Sequence, residues 1–460
     1  MQHYDAIVIG SGQAGTPLSK KLAESGLKTA LIERRWVGGT CVNDGCSPTK
    51  AMIASAKAAW SMYHSKSLGV ITDQFYVDFS AIMKRKDDIV HRMRNGSEKG
   101  IKGTKNLDLH YGTATFSGEK EITVTMNNGG SAVLTADKFF INTGEKPSIP
   151  KIENIENVEY LTSTTILELE SIPEHLLVLG SGYIGLEFGQ MFRRFGSKVT
   201  ILEPSERILK KEDADIAQEV MKVLKEEQIE ILTKTKAVSV SKNGDQINVT
   251  TETDGKQTQL SCSHILVATG RRPQTKELAL EKAGVETDEK GYIKVNDKLE
   301  TTAADIYALG DVKGGPAFTH ISYDDFRIIS ENVINHGNAS IKDRLVPYCM
   351  FIDPQLGRVG MTEQEAREQG LDVIVATIKN DSVARAIETG DTRGMMKAVI
   401  DAKTKQILGA AVLAEQGGEI VTILQMAMMG NVTYDRIKDG VFAHPTYAES
   451  LNNLFMTLDK

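Results

Sequence analysis

Two cysteines five residues apart, Cys41 and Cys46, stand in the segment Gly38-Gly-Thr-Cys-Val-Asn-Asp-Gly-Cys-Ser-Pro-Thr-Lys50. Thiols this close can cycle between dithiol and disulfide, share a metal ion, or sit inert in a core. In a regular helix, residues five apart hold their Cα atoms roughly 8–9 Å apart, too far for a disulfide. A bridge therefore needs a distorted turn, which Gly45 can supply. Pro48 suits an early helix position, and a cysteine near a helix N-terminus has its thiolate stabilised by the dipole. Only two cysteines are local and no His pair accompanies them, so redox chemistry is favoured over metal ligation. His444 stands in a His-Pro step, which taken alone reads as a structural loop residue. Cys262, Cys349 and the Met426/Met428/Met429 cluster read as packing, the methionines as helix core.

The elements that must position these groups come from an internal duplication. YDAIVI at 4–9 reads as a buried strand, followed by Gly10-Ser-Gly12-Gln-Ala-Gly15, a helical stretch, and a second strand ending on Glu33. From residue 176 the pattern returns: LLVLG, Gly180-Ser-Gly182-Tyr-Ile-Gly185, a helix, and a strand ending on Glu203. From Gly10 to Glu33 and from Gly180 to Glu203 the distance is the same 23 residues. Each copy closes on a strand running into Thr-Gly, FFINTG at 139–144 and ILVATG at 265–270. A glycine turn between strand and helix cradles a pyrophosphate, and the following acid reads a ribose diol. Two dinucleotides, or one held twice, are expected. A further strand delivers Gly310-Asp311, whose carboxylate could meet a ribitol hydroxyl or cap the next turn. From about 345 the texture becomes α+β, without a nucleotide signature.

The chain has 460 residues, 41% hydrophobic and 25% charged, enough for about three domains. Lys+Arg 54 against Asp+Glu 61 gives −7, which argues against nucleic acid as a partner. No apolar run reaches the roughly 18 residues of a membrane span, MQHYDAIVIGSG reads as strand and turn rather than a signal, and four cysteines are no secreted framework. A cytoplasmic protein is expected.

GGTCVNDGCSPTK resembles the active-site signature of the class I flavin disulfide reductases, which include lipoamide dehydrogenase, glutathione reductase and mercuric reductase. The resemblance runs over the whole chain through both glycine turns, TTAADIYALGD and FAHPTYAESLNNLF. It implies an α/β fold with two Rossmann-like domains and a C-terminal α+β dimerisation domain. It assigns 1–149 to FAD, 150–270 to NAD(P)H, 271–344 to a central domain completing the FAD site, and 345–460 to the homodimer interface. It further implies that Cys41 and Cys46 form the redox disulfide, Cys46 on the flavin side and Cys41 the interchange thiol. His444 and Glu449 would act on them across the dimer interface, and Lys50 and Glu187 would form an ion pair near the flavin. The FAD site would comprise Gly10, Gly12, Gly15, Glu33, Thr40, Lys50, Ala114, Thr143, Gly144, Asp311, Ala317, Phe318, Thr319 and His320. The NAD(P)H site would comprise Gly180, Gly182, Tyr183, Ile184, Gly185, Glu187, Glu203, Ala237 and Gly270, with Tyr183 covering the nicotinamide pocket. No resident metal is expected.

Glu203 favours NADH, because a carboxylate bonds a 2′-hydroxyl and repels a 2′-phosphate. Arg207, Lys210 and Lys211 keep NADPH possible. The chain ends without the vicinal cysteines of mercuric reductases proper. GGPAFTHISYDDFR, RVGMTEQEAREQG and DTRGMMKAVIDAKTKQILGA resemble the mercuric-reductase-like group that contains the bacterial reactive-chlorine-resistance flavoprotein, a Cu(II) reductase. The acceptor implied is a metal ion or small electrophile. Dihydrolipoamide dehydrogenase is the alternative, and a redox-sensing flavoprotein without turnover is the alternative from another class. Asp44 adds a carboxylate beside Cys41 that would disfavour its thiolate or attract a cation.

Overall fold

The computed structural model describes residues 2–72 and 74–459. The chain forms two compact units: Met1–Ala51, Met83–Ser148 and Gly270–Arg344 make the first, and Met52–Ile82, Ile149–Thr269 and Leu345–Lys460 the second.

The first unit is built on a six-stranded sheet. Strand Gln2–Ile9 lies between Thr29–Glu33 and Ser131–Ile141, parallel to both, and Ile306–Ala308 adds in parallel to the latter. Leu107–Gly118 pairs in parallel with Thr29–Glu33 through its first half, then turns into an antiparallel meander with Glu121–Met126 and Ser131–Ile141. The short strands are nearly all apolar because both faces are covered. Ile7, Ile9, Ile32, Phe139 and Ile141 enter one core cluster, while Ala6, Val8, Leu31 and Phe140 enter the other. That is the alternation a pleated strand imposes. Helix Gly15–Glu24 buries Leu18, Leu22 and Ala23 on the second cluster, each leucine contributing about 1.5–3 kcal/mol.

The second unit holds a four-stranded parallel sheet ordered 264–267, 175–179, 198–202, 230–232. A three-stranded antiparallel sheet, Thr235–Asn243, Gln246–Thr253 and Lys256–Cys262, shares a core with it through Leu177, Val240 and Val249. The C-terminal part is a five-stranded antiparallel sheet covered by helices Gly417–Met429 and Ser450–Met456, with Val412, Leu424, Leu451 and Phe455 at its centre. The α/β architecture therefore agrees with expectation. One reading is corrected: helix Gly417–Met429 buries Ile420, Val421, Leu424 and Ala427, so Met426 and Met429 fall on the opposite face, 60% and 61% exposed. Only Met428 packs against the core.

Candidate redox and dinucleotide sites

The two glycine turns have almost the same geometry. Gly10 and Gly180 sit at φ 101° and 102°, a region L side chains rarely enter. A Cβ on Gly15 would lie 2.0 Å from the Gly10 carbonyl oxygen, and one on Gly185 2.1 Å from that of Gly180. Only glycine lets each helix start this close to its strand. In the first copy Glu33 accepts from the Ser11 hydroxyl (2.6 Å), the Ser11 N–H (3.0 Å) and the Arg35 N–H (2.8 Å). In the second, Glu203 accepts from the Ser181 hydroxyl (2.6 Å), the Ser181 N–H (3.3 Å) and the Ser205 N–H (2.9 Å). Burial pushes the Glu203 carboxyl up, but the bonds from Ser181 and Ser205 outweigh it and hold it below the ordinary range. Glu203 is therefore an anion throughout neutral pH. Helices Gly15–Glu24 and Tyr183–Phe195 both begin without a side-chain bond from the N-cap residue and without an acid in the first turn, so no carboxylate there repels an anionic group drawn to the helix start. The residues fit two dinucleotide phosphates.

The first turn carries a residue that the sequence reading missed. Asn142 accepts from the Gly15 N–H (2.9 Å) through Oδ1 and donates to the Leu309 carbonyl (2.9 Å) through Nδ2. It thereby ties the glycine turn to the strand end that delivers Gly310 and Asp311. The duplicated position is Ala268, so aligning the two copies would have exposed the difference. Asp325 is a second omission: fully buried, it accepts from the Gly310 N–H (2.9 Å) and pairs with Lys313 and Arg344. Asp311 next to it is pushed up to about 6, by burial first and then by the Glu145 charge, against the pull of Arg271 and Lys313.

The cysteines sit on either side of a break. Cys41 lies in the short helix Gly39–Asn43, and Cys46 opens the long helix Cys46–His64. Gly45 allows this approach, since a Cβ there would fall 2.8 Å from the Thr40 oxygen and 3.3 Å from the Cys41 Cα. A hydrogen bond joins the two thiols, and the Thr319 hydroxyl lies 3.4 Å from Cys46 Sγ. The Cys41 thiol is pushed up by the bond to Cys46, then by burial and by the Cys46 charge; Thr319 and the Lys50 ammonium pull it down. With Cys46 this close, Cys41 is a hard thiol to ionise. Thr319→Val should raise the pH midpoint of Cys41 alkylation by roughly 0.5–1 unit, the worth of one hydrogen bond. Iodoacetamide rates against pH would show it, and an unmoved profile would remove Thr319 from the thiol chemistry. Asp44 is paired with Arg35, and its side chain is 13% exposed. Arg94, also missed, donates to Asn43 Oδ1 (2.7 Å), and Asn43 in turn holds the Val37 and Gly39 carbonyls.

Elsewhere in the first unit, Ala114 is buried in strand Leu107–Gly118, Thr143 donates to the Gln274 carbonyl (2.9 Å), and Gly144 takes φ 66°. Ala317 and Phe318 precede helix Thr319–Val333, and the Phe318 and His320 rings stack at 5.4 Å. Lys50 lies one turn beyond Cys46. In the second unit Tyr183 and Ile184 open helix Tyr183–Phe195, Glu187 is 3% exposed and Ala237 lies in strand Thr235–Asn243, while Gly270 of the first unit takes φ 123°. His444 Nδ1 is 2.9 and 3.1 Å from the Glu449 carboxylate oxygens. Burial pushes the Cys262 thiol up to about 12, in keeping with an inert packing role. Among the described residues no helix is long and apolar enough to cross a membrane.

Comparison with known proteins matches the pyridine nucleotide-disulphide oxidoreductase model to residues 4–325 and the dimerisation-domain model of the same family to 346–455. The chain is 39% identical to the probable pyridine nucleotide-disulfide oxidoreductase RclA of Escherichia coli, over 99% of both chains. It is 35% identical to a mercuric reductase of Staphylococcus aureus, over 99% of this chain and 83% of that one. The solved Cu(II) complex of the HOCl-induced flavoprotein disulfide reductase RclA superposes over 100% of both chains with TM-score 0.92 at 38% identity.

Proposed function

The chain belongs to the pyridine nucleotide-disulphide oxidoreductase family, and from that premise we propose that it uses NADH to reduce a metal ion or small electrophile through the Cys41–Cys46 pair. The family implies an enzyme with FAD and a pyridine nucleotide, and FAD supplies the two-electron step between the nicotinamide and the disulfide. The observation that carries the reading is the hydrogen-bonded thiol pair at the start of helix Cys46–His64, with Thr319 beside it. Gly10, Gly12, Gly15, Glu33 and Asp311 would hold FAD, within the assignment of 1–149 and 271–344. Gly180, Gly182, Gly185 and Glu203, within 150–270, would hold the nucleotide.

We take Cys46 as the charged, flavin-side thiol of the reduced pair and Cys41 as the protonated interchange thiol that meets the acceptor. With a disulfide substrate, His444 takes the Cys41 proton and returns it to the leaving thiol. With Cu(II), the thiolate–thiol pair closing to a disulfide gives two electrons to two Cu(II) and releases the one proton that Cys41 holds. A relative named a mercuric reductase and another solved with Cu(II) support a thiophilic metal as acceptor. The dimerisation domain supports a homodimer, and we assign His444 to the cysteines of the other protomer.

NADH is favoured by Glu203, and Arg207 is turned back onto the Lys210 carbonyl (3.0 Å) rather than held ready for a phosphate. Glu203→Gln should lower kcat/KM for NADH about tenfold or more, the worth of a hydrogen bond to a charged group, and leave NADPH less disfavoured. A parent that prefers NADPH would refute the assignment. The acceptor is tested by anaerobic NADH oxidation with Cu(II), Hg(II) and lipoamide offered separately. Cysteine-dependent metal reduction with negligible lipoamide turnover is expected; fast lipoamide turnover would make the chain a dihydrolipoamide dehydrogenase instead.

A further inference from the structure

Helix Tyr183–Phe195 carries a polar stripe on a buried face. Glu187, Gln190 and Arg194 are spaced three and four residues apart, so they line one side of three successive turns. They are 3%, 3% and 4% exposed, and all three bond the same short segment of the C-terminal part. Glu187 Oε1 accepts from the Phe351 N–H at 2.8 Å. Gln190 accepts from the Asp353 N–H (2.8 Å) and donates to the Asp353 carbonyl (2.9 Å). Arg194 Nη1 donates to Asp353 Oδ2 at 2.8 Å.

The far end of the stripe is closed by charge. Arg194 forks onto Glu227, Nε to Oε2 at 2.8 Å and Nη2 to Oε1 at 2.7 Å, and Arg393 reaches the same carboxylate at 2.8 Å. Both guanidinium groups lie over the Trp60 ring, at 4.5 and 5.0 Å. Burial pushes the Asp353 carboxyl up, but the charges of Arg194 and Lys57 outweigh it and keep the group ionised. A buried ion pair of this kind gives little net stability over an apolar replacement, yet it fixes register, because a two-carboxylate fork tolerates one geometry. The register fixed here matters for one reason. The same helix starts at the Gly180–Gly185 turn, and Glu187, two turns before Arg194, is aimed by the backbone of the segment that Arg194 holds.

We infer that Arg194 is a positioning residue for the nucleotide reaction: by locking residues 351–353 onto helix Tyr183–Phe195, it sets the direction of the Glu187 carboxylate and the pose of the nicotinamide nucleotide. The inference rests on the reading that this helix receives the pyridine nucleotide. Arg194 itself touches neither cofactor nor acceptor in this scheme.

The test uses FAD-loaded enzyme with Arg194→Lys, which keeps the charge but loses the fork, and Arg194→Met, which loses both. Arg194→Lys is expected to raise KM and the directly titrated Kd for NADH by about tenfold, the cost of a small misplacement. The acceptor KM, the FAD content and the rate at which acceptor reoxidises dithionite-reduced enzyme should stay within about twofold of the parent. Arg194→Met should show the same split more strongly; if it does not fold, the lysine variant decides. An unchanged nucleotide Kd in a folded Arg194→Lys enzyme overturns the positioning role, and so does a parallel fall of every parameter. Gly185→Val, whose side chain cannot fit beside the Gly180 carbonyl, separates the two levels. If it keeps full NADH affinity, the helix is not the nucleotide site and both readings fall. If it loses affinity while Arg194→Lys matches the parent, only the positioning role falls.

Discussion

Cys46→Ser is expected to lower acceptor reduction by about 10⁴-fold or more while leaving FAD content unchanged, as loss of a nucleophile does when fold and binding survive. Serine fits the space of the thiol at the first position of helix Cys46–His64, so the packing has no reason to fail. What disappears is the partner with which Cys41 closes a disulfide. A second change should accompany the loss, with opposite sign. The bond to Cys46 is the first cause of the raised Cys41 thiol, and the Cys46 charge adds to it. A serine hydroxyl carries no charge, so Cys41 should ionise at lower pH and alkylate faster at neutral pH than in the reduced parent. Anaerobic turnover and iodoacetamide kinetics on one preparation measure both. Turnover above about 1% of the parent would mean that electrons bypass the pair and would sink the relay.

The features that the sequence disclosed are local ones. Gly10, Gly12, Gly15 and Glu33, with their copies at 180, 182, 185 and 203, are set by a turn, a strand and a fixed interval, and each constraint acts within about 25 residues. The structure gave both copies the same serine–glutamate bond. Asn142 acts over 127 and 167 residues in sequence, and no periodicity records a partner that far away. Arg94 is similar: on helix Phe79–Lys102 it looks like one more surface cation, and only folding brings it to Asn43. The partner of Asp44 was not legible either: Arg35, nine residues back, pairs with it across a turn whose shape depends on Gly38 and Gly39, both at positive φ. The methionines of helix Gly417–Met429 show the limit of composition. An apolar residue at helical spacing is buried only on the face that meets the sheet, and this helix is apolar nearly all round. In a domain whose family model is one of dimerisation, the face bearing Met426 and Met429 is suited to a partner rather than to the protomer core.

A mixture of two inactive variants should regain activity if His444 works across the dimer. The His444 imidazole is held by Glu449, whose carboxylate oxygens lie 2.9 and 3.1 Å from Nδ1. A carboxylate only accepts, so Nδ1 carries a proton and Nε2 is the nitrogen left to exchange one. The loop is braced for this: Thr446 donates to the Ala443 carbonyl at 2.8 Å and accepts from the Glu449 N–H at 3.1 Å. Yet the His444 side chain is 67% exposed on the single chain, a poor setting for a base unless another surface covers it. His444→Ala alone should cost 10²- to 10⁴-fold in disulfide-substrate turnover, the usual range for a lost acid–base catalyst. When Cys46→Ser and His444→Ala chains are unfolded together and refolded, half of the dimers are mixed. Each mixed dimer then has one site with an intact cysteine pair from one chain and an intact histidine from the other, so roughly a quarter of parental activity should return. Both sites of a mixed dimer would stay damaged if His444 served its own chain, and the refolded mixture would be no more active than its parts. That second outcome, with dimers shown to have exchanged, would remove the cross-protomer assignment and leave His444 as a residue that orders its own loop.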